Sequence, residues 1–324
     1  MSQTSITDSY DALLSTTFPY RVKQLWDNLV INLQLLKWME GGQVKATGLH
    51  GHRYEFPLLY GSNTTVKNRG GYDIVDLDAQ DGITIGYVPW KDLSGSVVIS
   101  DDEKRQNAGE ERILSLLDAK TQQLEITMRT QLNTDLFSDG GTSNQIYGLA
   151  YWFRTASATV AGIDDSVNTW WANKSSTLAG SFASNGRDKM RTMWNNCSLG
   201  FNSDTPTHIM TDQTTYEAYE KTLDSAERLT IDTSGPDKVN IGPLAITFKG
   251  SEVAWDSKCT SGYMYFLNLR DKKLRFNILA DADFVTTPFI RPANQRVVAS
   301  IMTVQANVAC HIRKRMGLIT GFTA

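Results

Sequence analysis

Few side chains in this sequence are spaced as a metal site requires. His50 and His52 lie two residues apart in LHGHRYEF, so in a strand both imidazoles would face the same side. A zinc site takes three or four ligands, and two histidines do not complete one. His208 lies within the apolar segment THIMTD, where we expect a hydrogen-bonded core histidine. The histidines therefore predict no metal site, and His50 with His52 indicates a solvent-exposed strand edge.

Acidic residues occur in short clusters that suit turns and helix starts better than catalysis. The clusters are Asp164 with Asp165, residues 101–103, and Asp281 with Asp283. Such side chains bind nearby backbone N–H groups in turns and interact favourably with the dipole at a helix N-terminus. The sequence also lacks a P-loop, GxGxxG, HExxH or GxSxG motif. We therefore expect no enzyme active site and no cofactor.

Aromatic side chains form the other candidate chemistry. Trp170 and Trp171 are adjacent in a turn-rich loop at 159–173, and Trp152 with Phe153 precedes them. Such rings can stack on a base or a sugar, or anchor a protein interface. Because no basic frame accompanies them, we favour the interface. The single compact basic run, at 311–315, is interpreted as a solvated strand end.

Composition restricts the class of protein. The 324 residues are 41% hydrophobic and 21% charged with a net charge of −3, which indicates an ordinary globular protein with two or more lobes. The acidic balance argues against a dedicated nucleic-acid binder. The polar start predicts no secretory signal, and no apolar run predicts a membrane helix. The cysteines are odd in number and far apart, which favours reduced thiols and no disulfide framework or zinc site; they are Cys197, Cys259 and Cys310.

A long helix is predicted in the middle of the chain, and we expect the other elements to pack along it. Residues 109–138 contain no Pro and no Gly after the first position, so about 45 Å of uninterrupted helix is possible. One side of it carries an apolar stripe, and Asp139-Gly140-Gly141 ends it. We call this predicted helix the spine. The members of the stripe are Ile113, Leu117, Leu124, Met128, Leu132 and Leu136.

The remaining chain alternates between helical and β-rich segments. An amphipathic helix is predicted at 18–40, and a β-rich excursion follows at 43–100, including RYEFPLLY, TTVKNRGGYDIVDL and ITIGYVPW. This excursion has too few apolar clusters to bury its own two faces, so we expect it to pack on something else, such as a neighbouring subunit.

Residues 140–279 indicate a mixed α and β lobe. Helices are predicted at 182–197 and 213–228, and strands at 207–212, 244–249, 252–255 and 263–269. The chain from 283 on is rich in β-branched residues, and a strand pair there could return to the spine. The lobe containing the spine would then be discontinuous, and the fold class is α+β.

Four segments in order resemble the major capsid proteins of tailed bacteriophages, whose fold is named after the Hong Kong 97 phage. They are AGIDDSVNTWWAN at 161–173, PTHIMTDQTTYEAYEKTL at 206–223, LAITFKGSEVAWD at 244–256 with YFLNLRDKKLRF at 265–276, and QANVACHIRKRMGLITG at 305–321. One departure is Asp165, where the family pattern leads us to expect Arg. This exchange reverses a charge and puts any salt bridge of that Arg in doubt.

The resemblance implies a division of the chain and a function. Residues 1–42 would be an N-terminal arm and 43–101 an extended β-loop over a neighbour. Residues 102–138 with 280–324 would form a peripheral domain, and 139–279 an axial domain. The expected function is a structural capsid protein that assembles through pentamers and hexamers into an icosahedral phage head enclosing double-stranded DNA.

The resemblance also implies partners and interface residues. We expect contacts with further copies of the chain and with a portal protein, while a scaffolding or decoration protein stays open. The DNA is expected to be enclosed without sequence-specific binding, no membrane is expected, and the location is the virion capsid after assembly in the host cytoplasm. The expected subunit-interface residues are Trp26, Lys67, Arg69, Trp90, Asp164, Asp165, Trp170 and Trp171.

Two alternative functions accompany this hypothesis. A nanocompartment shell of the encapsulin kind shares the fold and encloses protein cargo. A hydrolase or carbohydrate-binding protein would depend on residues such as His208 and Asp164. Some relatives lock the shell with a Lys–Asn isopeptide bond, and Lys67, Lys91 and Asn294 could supply the groups; we expect no such bond.

Overall fold

The computed structural model describes residues 32–41, 44–106, 116–142, 144–199, 204–223, 246–292 and 295–323. The chain divides into two compact units. The first comprises Met1–Val30, Ser96–Ile126 and Pro288–Ser300, and the second comprises Ile31–Gly95, Thr127–Thr287 and Ile301–Ala324. Trp26, Asn294 and most of the helix predicted at 18–40 lie outside the described residues.

The described residues form short and long helices. The α-helices are α1 (Gln34–Met39), α2 (Asp101–Gln106), α3 (Leu116–Leu136), α4 (Leu149–Trp152), α5 (Phe182–Cys197) and α6 (Gln213–Thr222), and the 3-10 turns are Arg270–Lys272 and Arg313–Arg315.

The strands are more numerous. They are β1 (Lys45–Leu49), β2 (Arg53–Leu59), β3 (Ile83–Pro89), β4 (Lys91–Ser100), β5 (Thr159–Val160), β6 (Ile163–Asp164), β7 (Lys174–Ser181), β8 (His208–Thr211), β9 (Ile246–Phe248), β10 (Ser251–Trp255), β11 (Met264–Leu267), β12 (Leu274–Leu279), β13 (Val285–Thr286), β14 (Val297–Cys310) and β15 (Gly317–Thr323).

Two larger sheets and two hairpins organise these strands. One sheet has the order β1-β12-β14-β13, and β4 also pairs with β14. The other has the order β7-β15-β11-β8-β10-β9, while β2 pairs with β3 and β5 with β6. Parallel and antiparallel pairs occur in both larger sheets. Segments far apart in sequence therefore share each sheet, as a mixed α+β architecture requires.

The predicted helices are confirmed where the structure describes them. The side chains of Met128, Leu132 and Leu136 on α3 are at most 3% exposed, so the apolar stripe of the spine is buried at this end. Helix α5 has the predicted bounds. Helix α6 begins at the predicted residue and ends at Thr222, while residues 224–228 lie outside the described residues.

One β-strand prediction is wrong. Residues 64–77 form turns and irregular chain between β2 and β3. Local hydrogen bonds take the place of a strand ladder there. The side-chain Oδ1 of Asn63 accepts from the backbone N–H of Thr65 at 2.8 Å, and the Asp73 carboxylate accepts from the backbone N–H of Gly70 at 2.6 Å. Asn and Asp side chains commonly compete with secondary structure in this way.

The first unit confirms the helix-start role predicted for residues 101–103. Ser100 and Glu103 form a reciprocal capping box: the backbone N–H of each donates to the other's side chain at 3.1 Å. The Glu103 carboxylate also accepts from Lys120 at 2.9 Å, and Asp101 pairs with Arg291 at 2.9 Å. The hydrogen bond from Lys120 lowers the pKa of Glu103.

Within the second unit, helix α1 begins without a side-chain cap of its own. Its first N–H groups instead donate to buried side chains from distant segments: Leu35 to Asp256 and Leu36 to Asn133, both at 3.1 Å. The Asn133 amide also donates to Asp256 at 2.9 Å. Helix termini leave such N–H groups unpaired unless a side chain or water satisfies them. Asp256 and Asn133 therefore tie α1 to the spine and to the end of β10.

We predict that Asp256→Ala lowers the free energy of unfolding by about 1–3 kcal/mol, because it leaves buried donors without an acceptor. Chemical denaturation of the purified chain measures this loss. Asp188→Ala is the matched control, since Asp188 pairs with Arg191 on the exposed surface of α5 and its loss should cost about 0.5 kcal/mol or less. An equal effect of both substitutions would contradict the assigned role.

Candidate functional site

Arg313 has no exposed surface, although it is charged. Its Nε atom donates to the Trp152 carbonyl at 2.8 Å, and Nη1 donates to the Asp165 carboxylate at 3.1 Å and to the Trp171 carbonyl at 3.3 Å. Nη2 donates to the Asn173 side chain at 3.0 Å. One guanidinium thus joins α4, the loop after β6 and the segment before β7.

Two sequence interpretations change as a result. The basic run at 311–315 is not simply a solvated strand end, because Arg313 lies in the core. Asp165, where the family pattern led us to expect Arg, supplies the carboxylate of a buried ion pair and also accepts from the Ala158 N–H at 2.7 Å. Burial lowers the pKa of the Arg313 guanidinium, and the Asp165 carboxylate acts in the opposite direction. At 5% exposure Asp165 offers no surface to a neighbour.

Most of the aromatic cluster is also internal. Trp152, Phe153 and Trp171 are at most 2% exposed. The indole of Trp152 donates to the Val308 carbonyl at 3.2 Å, and that of Trp171 to the Val160 carbonyl at 3.1 Å. These rings fill the core of the second unit, so we withdraw Trp171 from the expected interface residues.

Trp170 differs from its neighbour because it is only half-buried. Its ring stacks on Tyr60, with centroids 5.1 Å apart and an interplanar angle of 18°. The indole N–H donates to the Asn168 side chain at 3.2 Å. Trp170 therefore packs on the residue that follows β2. Its role in a subunit interface stays a prediction.

We call the hairpin of β2 and β3 the ribbon. Its inner face carries Phe56, Leu58 and Val88, which belong to the main core and are at most 8% exposed. A Cβ atom at Gly86 would lie 2.7 Å from the Phe56 ring, so only glycine permits this close packing. The Tyr54 hydroxyl lies 3.0 Å from Nε2 of His311. The base of the ribbon is therefore fastened to the second unit.

The outer face of the ribbon is apolar and uncovered. Leu59 pairs with Ile83, and Pro57 pairs with Ile85, so these side chains share one face. Leu59 is 80% exposed, Ile83 68% and Ile85 57%. Most of the large apolar side chains exposed in the described chain belong to the ribbon and its loop: Leu59, Tyr60, Val66, Tyr72, Ile74, Val75, Leu77, Ile83, Ile85 and Tyr87. Contiguous patches of this kind mark interaction surfaces.

Lys67 and Arg69 lie in the loop of the ribbon, residues 60–82. The Lys67 ammonium is 2.7 Å from the Asp76 carboxylate, and Arg69 is 3.6 Å from the same group. Arg69 also donates to the carbonyls of Ile74 and Thr65. Both cations therefore shape the loop itself, and their contact with a neighbour stays a prediction.

The other expected interface residues occupy separate places. Trp90 follows β3 and donates to the Gly51 carbonyl at 2.9 Å. Asp164 ends β6, where its carboxylate accepts from the Ser166 hydroxyl and N–H at 2.7 and 2.9 Å. These bonds confirm the turn role predicted for Asp164, and the hydroxyl bond lowers its pKa. Trp26 lies outside the described residues.

His208 is hydrogen-bonded as expected, but it is not a fully buried core residue, because 25% of its side chain is exposed. Its Nδ1 lies 2.7 Å from the Thr207 hydroxyl, and its ring meets Trp38 edge-on with centroids 4.6 Å apart. Burial, with the nearby Arg270 charge, lowers the pKa of His208 to about 4. His50 and His52 are exposed as expected, but they follow β1 and do not lie in a strand.

The described residues hold neither a candidate metal site nor a candidate membrane span. Among them, no group of three or more His, Cys, Asp or Glu side chains is placed to hold a metal ion. No helix in the described part of the chain is long and apolar enough to cross a membrane.

Two features were missed by sequence reasoning. The outer apolar face of the ribbon could have been found from the alternation Ile83, Ile85, Tyr87 in β3, which places three large apolar residues on one side. The burial of Arg313 had no local signal, because its four acceptors come from residues 140 or more positions away.

Comparison of the sequence with protein-family models and with curated proteins gave no match. Solved structures do match along almost the whole chain. A chain of the cyanophage A-1(L) capsid asymmetric unit is 14% identical, with 96% of this chain and 98% of that chain covered and a TM-score of 0.68. The capsid of the empty GTA particle is 12% identical over all of both chains, with a TM-score of 0.67.

A third match has a different printed description. The holo-SrpI encapsulin complex from Synechococcus elongatus is 8% identical, with 97% of each chain covered and a TM-score of 0.60. Identities this low establish a likeness of fold alone. The chain has the Hong Kong 97-type capsid fold, which confirms both the α+β class and the fold expected from the four sequence segments.

We predict that Asp165→Ala lowers the free energy of unfolding by about 3–5 kcal/mol, because it leaves Arg313 buried without its anion. Denaturant titration followed by tryptophan fluorescence measures it, since Trp152 and Trp171 adjoin the guanidinium. Glu55→Ala is the control: it breaks an exposed pair with Arg53, and such pairs contribute about 0–1 kcal/mol.

We predict that stability falls as the pH drops from about 6.5 to about 4. In this window the unfolded His208 binds a proton while the folded residue, with its pKa near 4, does not. The loss is at most about 1.4 kcal/mol per pH unit for one histidine. Denaturation midpoints measured across this range should depend less on pH in His208→Gln, whereas His52→Gln, at an exposed residue, should behave as the parent. Parallel pH profiles for the parent and His208→Gln would refute this assignment.

Proposed function

We propose that this chain is the structural subunit of a closed protein shell, and specifically the major capsid protein of a tailed phage. Copies assemble through pentamers and hexamers into an icosahedral head that encloses double-stranded DNA. The role is structural and not catalytic. The uncovered apolar face of the ribbon carries the proposal, and the capsid fold supports it.

The ribbon has the properties of an element that packs on another copy. An isolated two-stranded hairpin is marginally stable in water, and this one buries its inner face in its own core. Its outer face keeps Leu59, Ile83 and Ile85 in solvent. Burying one such side chain contributes roughly 1.5–3 kcal/mol. A few ribbons engaged at once therefore supply enough free energy to hold a shell.

The balance of charge agrees with a container for DNA. With a net charge of −3, the chain carries no overall positive charge that would favour tight binding to phosphates. DNA enclosed by such a shell would be held by the closed wall and not by sequence-specific contacts. Each contact between subunits can be modest and the shell still holds together, because several contacts on each copy act at once.

The proposal includes the domains and partners expected from the family. Residues 1–42 are the N-terminal arm, 43–101 the extended β-loop, 102–138 with 280–324 the peripheral domain, and 139–279 the axial domain. A portal protein is a further partner, and a scaffolding or decoration protein is one to be sought. Assembly takes place in the host cytoplasm, and the mature location is the virion.

A nanocompartment shell is the second candidate, favoured by the full-length likeness to an encapsulin. It differs from a phage head in what it encloses. Particles isolated from cells that carry the gene distinguish the two: nuclease-protected double-stranded DNA supports the phage head, and a packaged protein without DNA supports the nanocompartment.

We predict that the purified chain forms closed particles, or rings of five or six copies, in electron micrographs. Ile83→Ser with Ile85→Ser should remove these assemblies, because two lost apolar side chains weaken each contact by a factor of about 100 or more. Size-exclusion chromatography at matched concentration measures the loss. Both side chains are exposed, so the secondary structure by circular dichroism should stay that of the parent.

Val167→Ser is the control for this test. Val167 is 78% exposed and lies outside the ribbon, so assembly should persist. A parent chain that stays monomeric, alone and with the neighbouring gene product co-expressed, would contradict the proposed function.

A further inference from the structure

A polar pocket of about 310 Å³ lies between strand β7 and helix α5. Residues 174–176 of β7 form one wall of this pocket. Asn185, Lys189 and Asn196 lie on the opposite wall, and their spacings of four and seven place them on one face of α5. Both walls belong to the second unit, so the pocket is complete within one copy of the chain.

Two lysines line this pocket, one from each wall. Lys174 is the first residue of β7, Lys189 lies in the middle of α5, and both are half-buried. The ammonium group of neither lysine has a hydrogen-bond or carboxylate partner among the residues that the structure describes. Lysine side chains are seldom taken out of water unless they are paired. Two half-buried ammonium groups at one pocket therefore favour an anion between them.

The charge of Lys174 acts at the inner side of the pocket. Burial raises the pKa of the Cys197 thiol to about 12, and the Lys174 charge acts in the opposite direction. Cys197 is the last residue of α5 and has no exposed surface. The Lys174 ammonium therefore lies near a side chain of the core, where charges interact more strongly than they do in bulk water.

Uncharged donors accompany the two lysines. The hydroxyls of Ser175 and Ser176 and the amides of Asn185 and Asn196 line the pocket, and these four side chains have no partner in the described part of the chain. Strand β7 is also at the edge of its sheet and pairs only with β15. Lysine ammonium groups, hydroxyls, amides and backbone N–H groups are the donors that proteins use to hold phosphate oxygens.

The carboxylate that lines the pocket does not offset the lysines. Asp188 pairs with Arg191 at 2.9 Å, and Arg191 lies on the exposed side of α5. The nearby Thr192 hydroxyl donates to the Asp188 backbone carbonyl at 3.0 Å and not to its carboxylate. The charge of Asp188 is thus balanced by Arg191, and the charges of Lys174 and Lys189 remain for a ligand.

We propose that this pocket binds a phosphate group, held between Lys174 and Lys189. Its volume is at the lower end of the range for small-molecule sites, which suits inorganic phosphate or the phosphate of one nucleotide. The phosphate can belong to a small molecule or to the backbone of DNA. This inference goes beyond the proposed function, because one chain holds the whole site and no shell is required.

Calorimetric titration of inorganic phosphate into the purified full-length chain tests the site, with the ionic strength kept constant by chloride. One phosphate should bind per chain. Lys174→Gln and Lys189→Gln should each weaken binding about tenfold or more, because each removes one charged donor. Circular dichroism verifies that both variants keep the fold of the parent.

A charge-matched control separates this site from a general effect of positive charge. It carries Lys221→Gln and Lys258→Gln, at two exposed residues outside the pocket. Its net charge equals that of the chain with both Lys174→Gln and Lys189→Gln. The control should bind inorganic phosphate within about twofold of the parent, since both pocket lysines are kept.

Stability provides a second readout. A ligand that binds only the folded chain raises the denaturation midpoint, whereas phosphate also stabilises proteins generally because it is excluded from their surface. The variant with both pocket lysines replaced measures the general part alone. Phosphate should therefore raise the midpoint of the parent and of the charge-matched control by more than it raises the midpoint of this variant.

A short labelled DNA duplex distinguishes the two sources of phosphate. Duplex that binds the parent and the charge-matched control, is displaced by inorganic phosphate and binds the double pocket variant about tenfold more weakly would identify the DNA backbone as the source. Binding of inorganic phosphate without binding of the duplex would identify a small molecule. Both results support a phosphate site.

Three outcomes would overturn the inference: no binding of phosphate by the parent, equal binding by the parent and the double pocket variant, or equal weakening in the charge-matched control. None of them bears on the proposed function, because assembly is not measured. Conversely, a chain that binds phosphate through Lys174 and Lys189 but never assembles would contradict the shell proposal and leave the phosphate site standing.

Discussion

The buried guanidinium of Arg313 is the interaction on which the second unit depends. A charge without exposed surface must be neutralised and fully hydrogen-bonded to be tolerated. Here one carboxylate, one amide and two carbonyls meet that requirement. Because the acceptors come from α4, the loop after β6 and the segment before β7, their positions relative to the end of β14 are determined together. The aromatic core around Trp152 and Trp171 packs against this arrangement.

The same core gives the ribbon a rigid base and leaves its outer face exposed. Phe56 and Val88 are buried in the core that contains Trp171, whereas Leu59 and Ile83 on the opposite face have no cover within the described chain. A side-chain period of two separates these functions in every strand of a hairpin. Substitutions on the inner face therefore change the stability of the single chain, and substitutions on the outer face change its binding to another copy. This division suits a subunit that must fold before it assembles.

Patterns of neighbouring residues were sufficient to predict many of the helices and strands. The apolar stripe of the spine, the bounds of α5 and the Ser100–Glu103 start of α2 depend on residues within a few turns of each other. The assignment failed at 64–77, where Asn63 and Asp73 bind nearby backbone and no strand forms. A prediction from hydrophobicity alone does not take account of side chains that compete with strand hydrogen bonds for the backbone. The four ordered segments, taken as a resemblance, supplied the overall fold that local patterns do not specify.

The sequence by itself determined where α3, α5, α6 and most strands form, that the segment 43–100 needs another surface to pack on, and that the fold is α+β. The tertiary structure alone decided which polar and aromatic residues are internal. Asp165 and Arg313 are separated by 148 positions, and Trp170 and Trp171 are adjacent yet differ in burial. Burial depends on which distant segments pack together, and long-range pairing leaves no periodic trace in the chain. For that reason only the structure showed which of the expected interface residues are buried in the core and which lie at the surface.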